Sequence, residues 1–328
     1  MTKFFKTTQK TGIQRLDGYE KGCWIDLVNP SDDEVEDICM ATGIPDEMIK
    51  APLDEEERAR METDDGCTLF ILDTPILVES DGEDSYSTIP MGIIYNDQCI
   101  VTISLRGNPV LRDFMSKRNK ISTDRPVGFI LSFMLENMKR FLFSLRQIDK
   151  KSNRIKEELH KSMKNEDLMR LLELQNSLVY FSTSLSSNLS VQSKAERMPT
   201  VRANEDYRDL FDDVMIETRQ AIETCTVYRD ILTVTMEAFS SIISNSANNV
   251  MRLLTIITVV IAIPTLVAGL WGMNMPVPFE GTGTWAFWLV MGVSFVLAGI
   301  ATIVMVRYTS GTKIEHEKKK KQKHSRKK

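Results

Sequence analysis

The chain has 328 residues, a formal net charge of -4 and an ordinary globular composition, with 42% apolar and 26% charged residues. Its five cysteines form no CxxC pair and it has only three histidines, which argues against a disulfide framework, a structural zinc site and histidine-based catalysis. The sequence contains no G-x-x-x-x-G-K-[ST] loop, which argues against ATP-driven pumping. It also shows no pattern that pairs a nucleophile with a base, so an enzyme has the least support. The amino terminus lacks the apolar core of a secretory signal, so we expect the first residues, up to about 250, to stay in the cytosol.

Residues 1–124 are predicted to form a cytoplasmic α/β regulatory domain. Four stretches have the apolar or alternating pattern of strands: Cys23–Val28, Cys67–Val78, Thr88–Tyr95 and Gln98–Leu105. Asn96-Asp97 between the last two predicts a two-residue hairpin turn. Ser31 followed by Glu34 is a capping-box pattern, which predicts that a helix begins after the first strand. Residues 31–65 are strongly acidic, with fourteen acidic and three basic side chains.

Residues 125–198 are predicted to form a cytoplasmic helical hairpin. Strand signals vanish, and helices are expected from Phe129 to Ser162 and from Glu166 to Arg197. Pro199 ends the second helix, because proline cannot continue a helix interior. A coiled-coil-like face is expected from the leucines Leu168, Leu171, Leu172, Leu174, Leu178, Leu185 and Leu189.

Residues 199–250 are predicted to form the cytoplasmic part of a long stalk helix. Neither proline nor glycine occurs between Asn204 and Ile263. A heptad seam is formed by Phe211, Val214, Thr218, Ala221, Cys225, Tyr228, Leu232, Thr235, Phe239 and Ile242. A continuous helix from Tyr207 to Trp271 would be roughly 95 Å long at about 1.5 Å per residue.

Two membrane-spanning helices are predicted, over residues 251–271 and 285–306. Their uncharged cores, Leu253–Trp271 and Trp285–Val306, have nineteen and twenty-two residues, and a bilayer core needs about 20. Positive charge flanks both spans, whereas the outer loop at 272–284 has one ionisable residue, Glu280, so both termini are expected on the cytoplasmic side of the cell membrane. The basic tail at 307–328 resembles a nucleic-acid patch in composition, but beside a membrane we interpret it as a topology signal that contacts anionic lipid headgroups.

One face of the first span differs from the rest of it. Steps of three and four residues from Asn248 select nearly all the small or hydroxyl-bearing residues of a span otherwise built of Leu, Ile and Val; the positions are Met251, Thr255, Thr258, Ala262, Thr265, Gly269 and Gly272. This stripe fits two interpretations, close packing between helices or the lining of a pore. Periodicity alone favours packing.

The end of the stripe carries a family resemblance. With Gly272-Met273-Asn274 closing the first of two carboxy-terminal spans, the sequence resembles the CorA family of magnesium channels. The resemblance covers most of the chain, including the segments NNVMRLLTI and PTLVAGLWGMN. It implies a homopentameric funnel in which an α+β cytoplasmic domain is followed by long stalk helices and two transmembrane helices, the first of them lining the pore. It also implies influx of Mg²⁺ and no enzymatic cofactor.

The resemblance assigns roles along the first span. Gly272, Met273 and Asn274 would form the selectivity filter, with the Asn274 amide and backbone carbonyls facing the ion. The pore would be lined by Asn248, Met251, Leu254, Thr255, Thr258, Ala262 and Thr265. The seam selects Thr255 where the family alignment selects Leu254, two positions about 100° apart on a helix. Glu280 would be the only acid that attracts cations at the outer mouth.

A regulatory metal site is also implied, because the family senses cytosolic Mg²⁺ through carboxylates between neighbouring subunits. Phe211-Asp212-Asp213 matches a stalk position, which assigns Asp213 to this site, with Asp64 or Asp65 as its candidate partner. Solubility is the alternative role for this acidic surface.

Two other functions stay open. A transporter of Zn²⁺, Co²⁺ or Ni²⁺ would share this architecture, although scarce histidines favour a hard ion such as Mg²⁺. A membrane-tethered sensor or scaffold without transport would need no Asn274.

Overall fold

The structure, a computed structural model, describes residues 1–8, 12–80, 83–116, 122–162, 165–273 and 283–325. The chain divides into two compact units, Met1–Glu237 and Ala238–Lys328. The first unit holds a mixed sheet with helices on both faces. The second consists of the remainder of one long helix and a further helix.

The sheet of the first unit has seven strands in the order β2-β1-β3-β7-β6-β5-β4. Their bounds are β1 Thr2–Thr8, β2 Gly12–Leu16, β3 Cys23–Val28, β4 Arg60–Asp64, β5 Cys67–Ser80, β6 Glu83–Tyr95 and β7 Cys99–Ser104. Neighbours are antiparallel except for β3 and β7, which run parallel. The four predicted strands are confirmed, whereas β1, β2 and β4 were not predicted.

The predicted turn at Asn96-Asp97 is wrong by one residue. Residues 96–98 separate the strands, because the Asn96 side chain organises the loop. Its Oδ1 accepts hydrogen bonds from the backbone N–H groups of Gln98 (2.9 Å) and Cys99 (3.0 Å). An asparagine side chain can stand in for a turn carbonyl in this way, and strand pattern alone does not reveal it.

Helices cover both faces of the sheet. α1 (Asp32–Thr42) has the predicted capping box, with Ser31 Oγ accepting from the Glu34 N–H at 3.2 Å and the Glu34 carboxylate accepting from the Ser31 N–H at 3.1 Å. α2 (Asp46–Lys50) and a 3-10 helix (Ala51–Leu53) follow it and pack with α1 on one face. α3 (Pro109–Ser116) and α4 (Pro126–Ser162) lie on the other face. Successive side chains of β3 point to opposite faces of the sheet. Trp24 packs in the core on the α3 and α4 face, and Ile25 packs in the core on the α1 and α2 face.

The predicted helical hairpin is confirmed by α4 and α5 (Asn165–Ala195), which pack against each other and against the sheet. Four of the predicted interface leucines are buried, namely Leu171, Leu174, Leu178 and Leu185, whereas Leu172 is exposed. α5 ends at Ala195, and Pro199 then begins the short helix α6 (Pro199–Ala203). The first position of a helix suits proline, because that N–H would lack a partner anyway.

Side-chain amides bind the backbone of β5 where its pairing with β4 has ended. β4 pairs with β5 only as far as Ile71, so the backbone groups of Asp73 lie beyond its end. Asn188 of α5 accepts from the Asp73 N–H at 2.9 Å and donates to the Asp73 carbonyl at 2.8 Å, and Asn137 of α4 donates to the same carbonyl at 2.9 Å. The hairpin is therefore tied to the sheet by hydrogen bonds as well as by apolar packing.

Burial raises the pKa of the Asp73 carboxyl to about 6, although a hydrogen bond from Ser184 opposes this shift. A carboxyl with a raised pKa in the folded state lowers stability as pH rises from about 4 to about 6, and the loss persists above that range. Asp73→Asn is therefore expected to stabilise the protein above pH 6, by up to about 3 kcal/mol, and to give no gain near pH 4. Thermal unfolding of the full chain in detergent micelles across this range measures the effect.

The matched control is Asp97→Asn, which alters an exposed carboxylate in the β6–β7 loop. Its unfolding temperature should follow the parent at every pH. A gain for Asp73→Asn that does not change with pH would contradict the assigned cause.

A glycine lets the 3-10 helix lie directly on the sheet. Gly92 of β6 lies opposite Ile71 and Ile103 in the register. A Cβ at this position would lie 2.3 Å from Pro52 Cγ and 2.9 Å from Pro52 Cβ. Pro52 is itself buried, so neither group has open space to move into.

The predicted stalk is present as α7, Glu205–Trp271, a single helix of 67 residues. Its first part packs on α5, where Thr218 Oγ1 donates to Gln192 Oε1 at 3.0 Å and Cys225 Sγ donates to the Leu178 carbonyl at 3.4 Å. Burial follows the predicted seam at Phe211, Val214, Thr218, Ala221, Cys225, Leu232 and Phe239, whereas Ile242 is exposed.

All five cysteines are free, and four of them are buried: Cys23, Cys67, Cys99 and Cys225. Burial raises the pKa of Cys99 to about 12 and that of Cys225 to about 11. Burial also raises the pKa of the half-buried Cys39. At neutral pH these thiols are protonated, and the thiolate is the reactive form.

Candidate functional site

The second unit contains two helices long and apolar enough to cross a membrane. They are the apolar part of α7 and the first part of α8 (Thr284–Ser325), over Thr284–Arg307. No residue of the apolar window of α7 is buried within the chain, and few residues of the α8 window are. A soluble protein rarely exposes an apolar surface of this extent, whereas a helix in lipid or beside a second copy does so.

Three threonines of the predicted stripe share one local geometry. Thr255, Thr258 and Thr265 are exposed, and the hydroxyl of each donates to the carbonyl four residues earlier, at 2.8 Å. Because the proton is used within the helix, each oxygen presents only its lone pairs outward. Such a face accepts hydrogen bonds. The water molecules around a hydrated cation offer donors, so this face is chemically suited to them.

A shallow groove brings several predicted pore residues together. Leu254, Thr258, Ala262 and Thr265 line it, together with Ile257, Ile261, Leu266, Gly269 and Leu270. The small residues Ala262 and Gly269 lower its floor between larger aliphatic side chains. Asn248, Met251 and Thr255 do not line this groove. The groove thus groups Leu254, and not Thr255, with the threonines further along the helix.

The predicted filter lies at the end of α7. The Gly272 N–H donates to the Ala268 carbonyl at 2.9 Å, which closes the last turn, and Met273 is exposed at the bend that follows. A Cβ on Gly272 would lie 3.2 Å from the Ala268 oxygen, so the turn is tight. Asn274 and Glu280 lie outside the residues that the structure describes.

The predicted regulatory carboxylates lie in two separate elements of the first unit. Asp213 is exposed on α7, whereas Asp64 ends β4 and Asp65 occupies the turn into β5. Asp65 and Gly66 have positive φ values of 45° and 77°, which is the geometry of a two-residue hairpin turn. Across the described ranges, no group of three or more His, Cys, Asp or Glu side chains is arranged to hold a metal ion.

These features define a class of membrane protein. A mixed α/β unit continues into one long helix, the apolar part of this helix ends next to a Gly-Met-Asn sequence, and a second apolar helix follows. The profile of the family described as "CorA-like Mg2+ transporter protein" matches residues 19–307. The chain belongs to this family.

The chain is similar to named proteins and to a solved structure from archaea and bacteria. The chain is 27% identical over 289 residues to the cobalt/magnesium transport protein CorA of Methanocaldococcus jannaschii, covering 87% of this chain and 90% of that protein. It is 22% identical over 309 residues to the protein of the same name from Thermotoga maritima, covering 93% and 86%. The complete structure of the M. jannaschii CorA magnesium transporter shares the fold, with a TM-score of 0.76 at 24% identity, over 94% of this chain and 97% of that one.

Proposed function

We propose that this protein is a channel that admits Mg²⁺ into the cell down its electrochemical gradient. The observation that carries the proposal is the exposed threonine face of α7, which leads along an apolar helix to Gly272-Met273-Asn274. The family supports the ion, since its description names Mg²⁺. In this proposal five copies surround the path with their first spans, both termini lie in the cytoplasm, and the basic tail contacts anionic lipid headgroups.

Ion selection is assigned to the outer mouth. Magnesium gives up its water reluctantly, so a ring of neutral amide and carbonyl oxygens from Asn274 and Gly272 captures the hydrated ion without stripping it. A ring of carboxylates would hold the ion longer and slow its release. Glu280 adds charge that raises the local cation concentration.

Conduction and closure are assigned to the same helix. The acceptor face of Thr255, Thr258 and Thr265 meets the water shell of the ion as it moves. Nearer the cytosol, Met251 and Leu254 form an apolar ring that closes by losing its water. Influx needs no pump, because a divalent ion crossing 100 mV gains about 4.6 kcal/mol, twice the value of about 2.3 per elementary charge.

The test of this function is ion flux through the purified full chain in liposomes. We expect Mg²⁺ entry that rises when the interior is made negative, and a detergent mass corresponding to five copies. Absence of voltage-dependent entry would reject the channel and leave a tethered sensor or scaffold. Competition by Co²⁺, Ni²⁺ and Zn²⁺ in the same assay ranks the ions, and Co²⁺ is of interest because the named relatives are cobalt/magnesium transport proteins.

Regulation is assigned to Mg²⁺ bound between subunits by Asp213 and by Asp64 or Asp65. When Mg²⁺ is plentiful it bridges the carboxylates and holds the ring closed, and when it is scarce their repulsion loosens the ring. Asp213→Ala is therefore expected to raise the internal Mg²⁺ concentration that halves the current by about fivefold or more. Patch recordings with graded internal Mg²⁺ measure this shift.

The matched control is Asp230→Ala, which removes another exposed carboxylate from the same helix. It should leave inhibition by internal Mg²⁺ at the parental concentration. If Asp213→Ala also leaves it there, Asp213 is not part of the sensor.

A further inference from the structure

A cleft on the first unit gathers three arginines that the proposed channel function does not use. Its volume is about 330 Å³. It is lined by Ile76, Leu77, Arg106, Gly107, Pro109, Arg112, Asp113 and Arg140. The arginines come from three different elements, namely the loop after β7, helix α3 and helix α4. Their convergence is a product of the topology and not of any local sequence motif.

The arginines are only partly neutralised. Arg106 pairs with Glu55, and Arg140 Nη1 donates to Asp113 Oδ2 at 3.1 Å. Arg112 is exposed and makes no ion pair within the described part of the chain. Three cations thus face two carboxylates, which leaves one positive charge for a ligand. A guanidinium also keeps free N–H groups after one carboxylate contact, because it carries five.

Arg140 is held in place and has an unused donor. Its guanidinium carbon lies 5.1 Å from the centre of the Phe143 ring, a cation–π distance. Its Nε is buried and has no hydrogen-bond partner. A buried donor without a partner costs about 1–3 kcal/mol, so the guanidinium on this wall of the cleft has hydrogen-bonding capacity that the protein does not meet.

The surrounding backbone also favours an anion. The cleft lies beyond the carboxyl end of β7, because Arg106 and Gly107 of its lining come just after that strand. α3 begins at Pro109, which also lines the cleft, so the partly positive end of this helix lies beside the arginines. Asn108 fixes this loop, because its Oδ1 accepts from the Val110 N–H at 2.9 Å and its Nδ2 donates to Thr74 Oγ1 at 2.8 Å.

We propose that this cleft binds a small phosphate-bearing anion. Arg112 and Arg140 contact the phosphate oxygens from two helices, and Arg106 completes the positive wall. Guanidinium groups suit this ligand, because their paired N–H groups match the spacing of phosphate oxygens. Ile76 and Leu77 form the apolar side of the cleft, where the organic part of a phosphate monoester would lie.

The experiment is calorimetric titration of the full chain in detergent micelles, in magnesium-free buffer so that the anion stays uncomplexed. The probes are inorganic phosphate and adenosine monophosphate. We expect saturable binding of one anion per chain, weakened at least tenfold by Arg112→Ala. Tighter binding of the monoester would assign an organic phosphate, and equal affinity would assign free phosphate.

The control is Arg154→Ala, which removes an exposed arginine from α4, the same helix as Arg140. It should leave the affinity unchanged. Because Arg112 is exposed, its replacement is expected to preserve the fold, and an unaltered unfolding temperature verifies this. Absence of saturable binding, or an equal loss in both variants, would overturn the proposal.

Discussion

Replacing Asn274 by alanine is expected to abolish Mg²⁺ uptake while expression and oligomer size stay unchanged. The proposed filter depends on a ring of amide oxygens, and alanine removes every oxygen that this side chain supplies. Magnesium-dependent growth of an uptake-deficient host measures the effect in cells. Flux into liposomes measures it for the purified protein.

Asn176→Ala is the matched control, since it removes an exposed asparagine from α5. Growth with this variant should equal growth with the parent. Full rescue of growth by Asn274→Ala would contradict the pore assignment and favour a tethered sensor or scaffold. Loss of the oligomer in Asn274→Ala would instead assign the residue a structural role.

The second large effect is expected from Gly92→Ala in the sheet. The added methyl group would lie 2.3 Å from Pro52 Cγ, well inside contact distance, and both groups are buried. The sheet and the 3-10 helix must therefore separate, at a cost of about 3 kcal/mol in the free energy of unfolding. Thermal unfolding of the full chain should show a clearly lower transition temperature.

Two further variants isolate the cause of this loss. Gly18→Ala adds a methyl group where nothing lies within 4 Å, and it should leave the transition near the parental temperature. Adding Pro52→Ala to Gly92→Ala removes the ring carbon nearest the clash, so part of the loss should be recovered. Equal stability of Gly92→Ala and the parent would show that Pro52 of the 3-10 helix does not lie against Gly92 of the sheet.

The helices were predictable because one signal is repeated along each of them. The seam of α7 recurs every three or four residues from Phe211 onward, and burial follows it to Phe239. The capping box at Ser31 fixed the start of α1, since two reciprocal hydrogen bonds depend on residue type and spacing alone. Signals of this kind need no knowledge of the rest of the chain.

The missed strands lack such a signal. β1, β2 and β4 carry many charged or polar residues, and β2 and β4 lie at the two edges of the sheet. Edge strands tolerate polar residues because one side has no strand neighbour. Asp65-Gly66 did signal a hairpin between β4 and β5, and it could have revealed β4.

The candidate site was partly visible in the sequence. Spacing alone selected the threonine stripe, but only the structure gives the direction in which each hydroxyl proton points. The arginine cleft was missed for another reason. Arg106 and Arg140 are far apart along the chain, and tertiary contacts between a loop and two helices bring them together.

The buried thiols make this chain a convenient host for spectroscopic probes. Four cysteines are shielded from reagents, and only the half-buried Cys39 offers partial access. Cys39→Ser should therefore give a protein that reacts slowly with maleimides while keeping its native interior. A single new cysteine on an exposed position of α7 or α3 would then take up label selectively. Distances between labelled copies would report the assembly and its motions without removing any core residue.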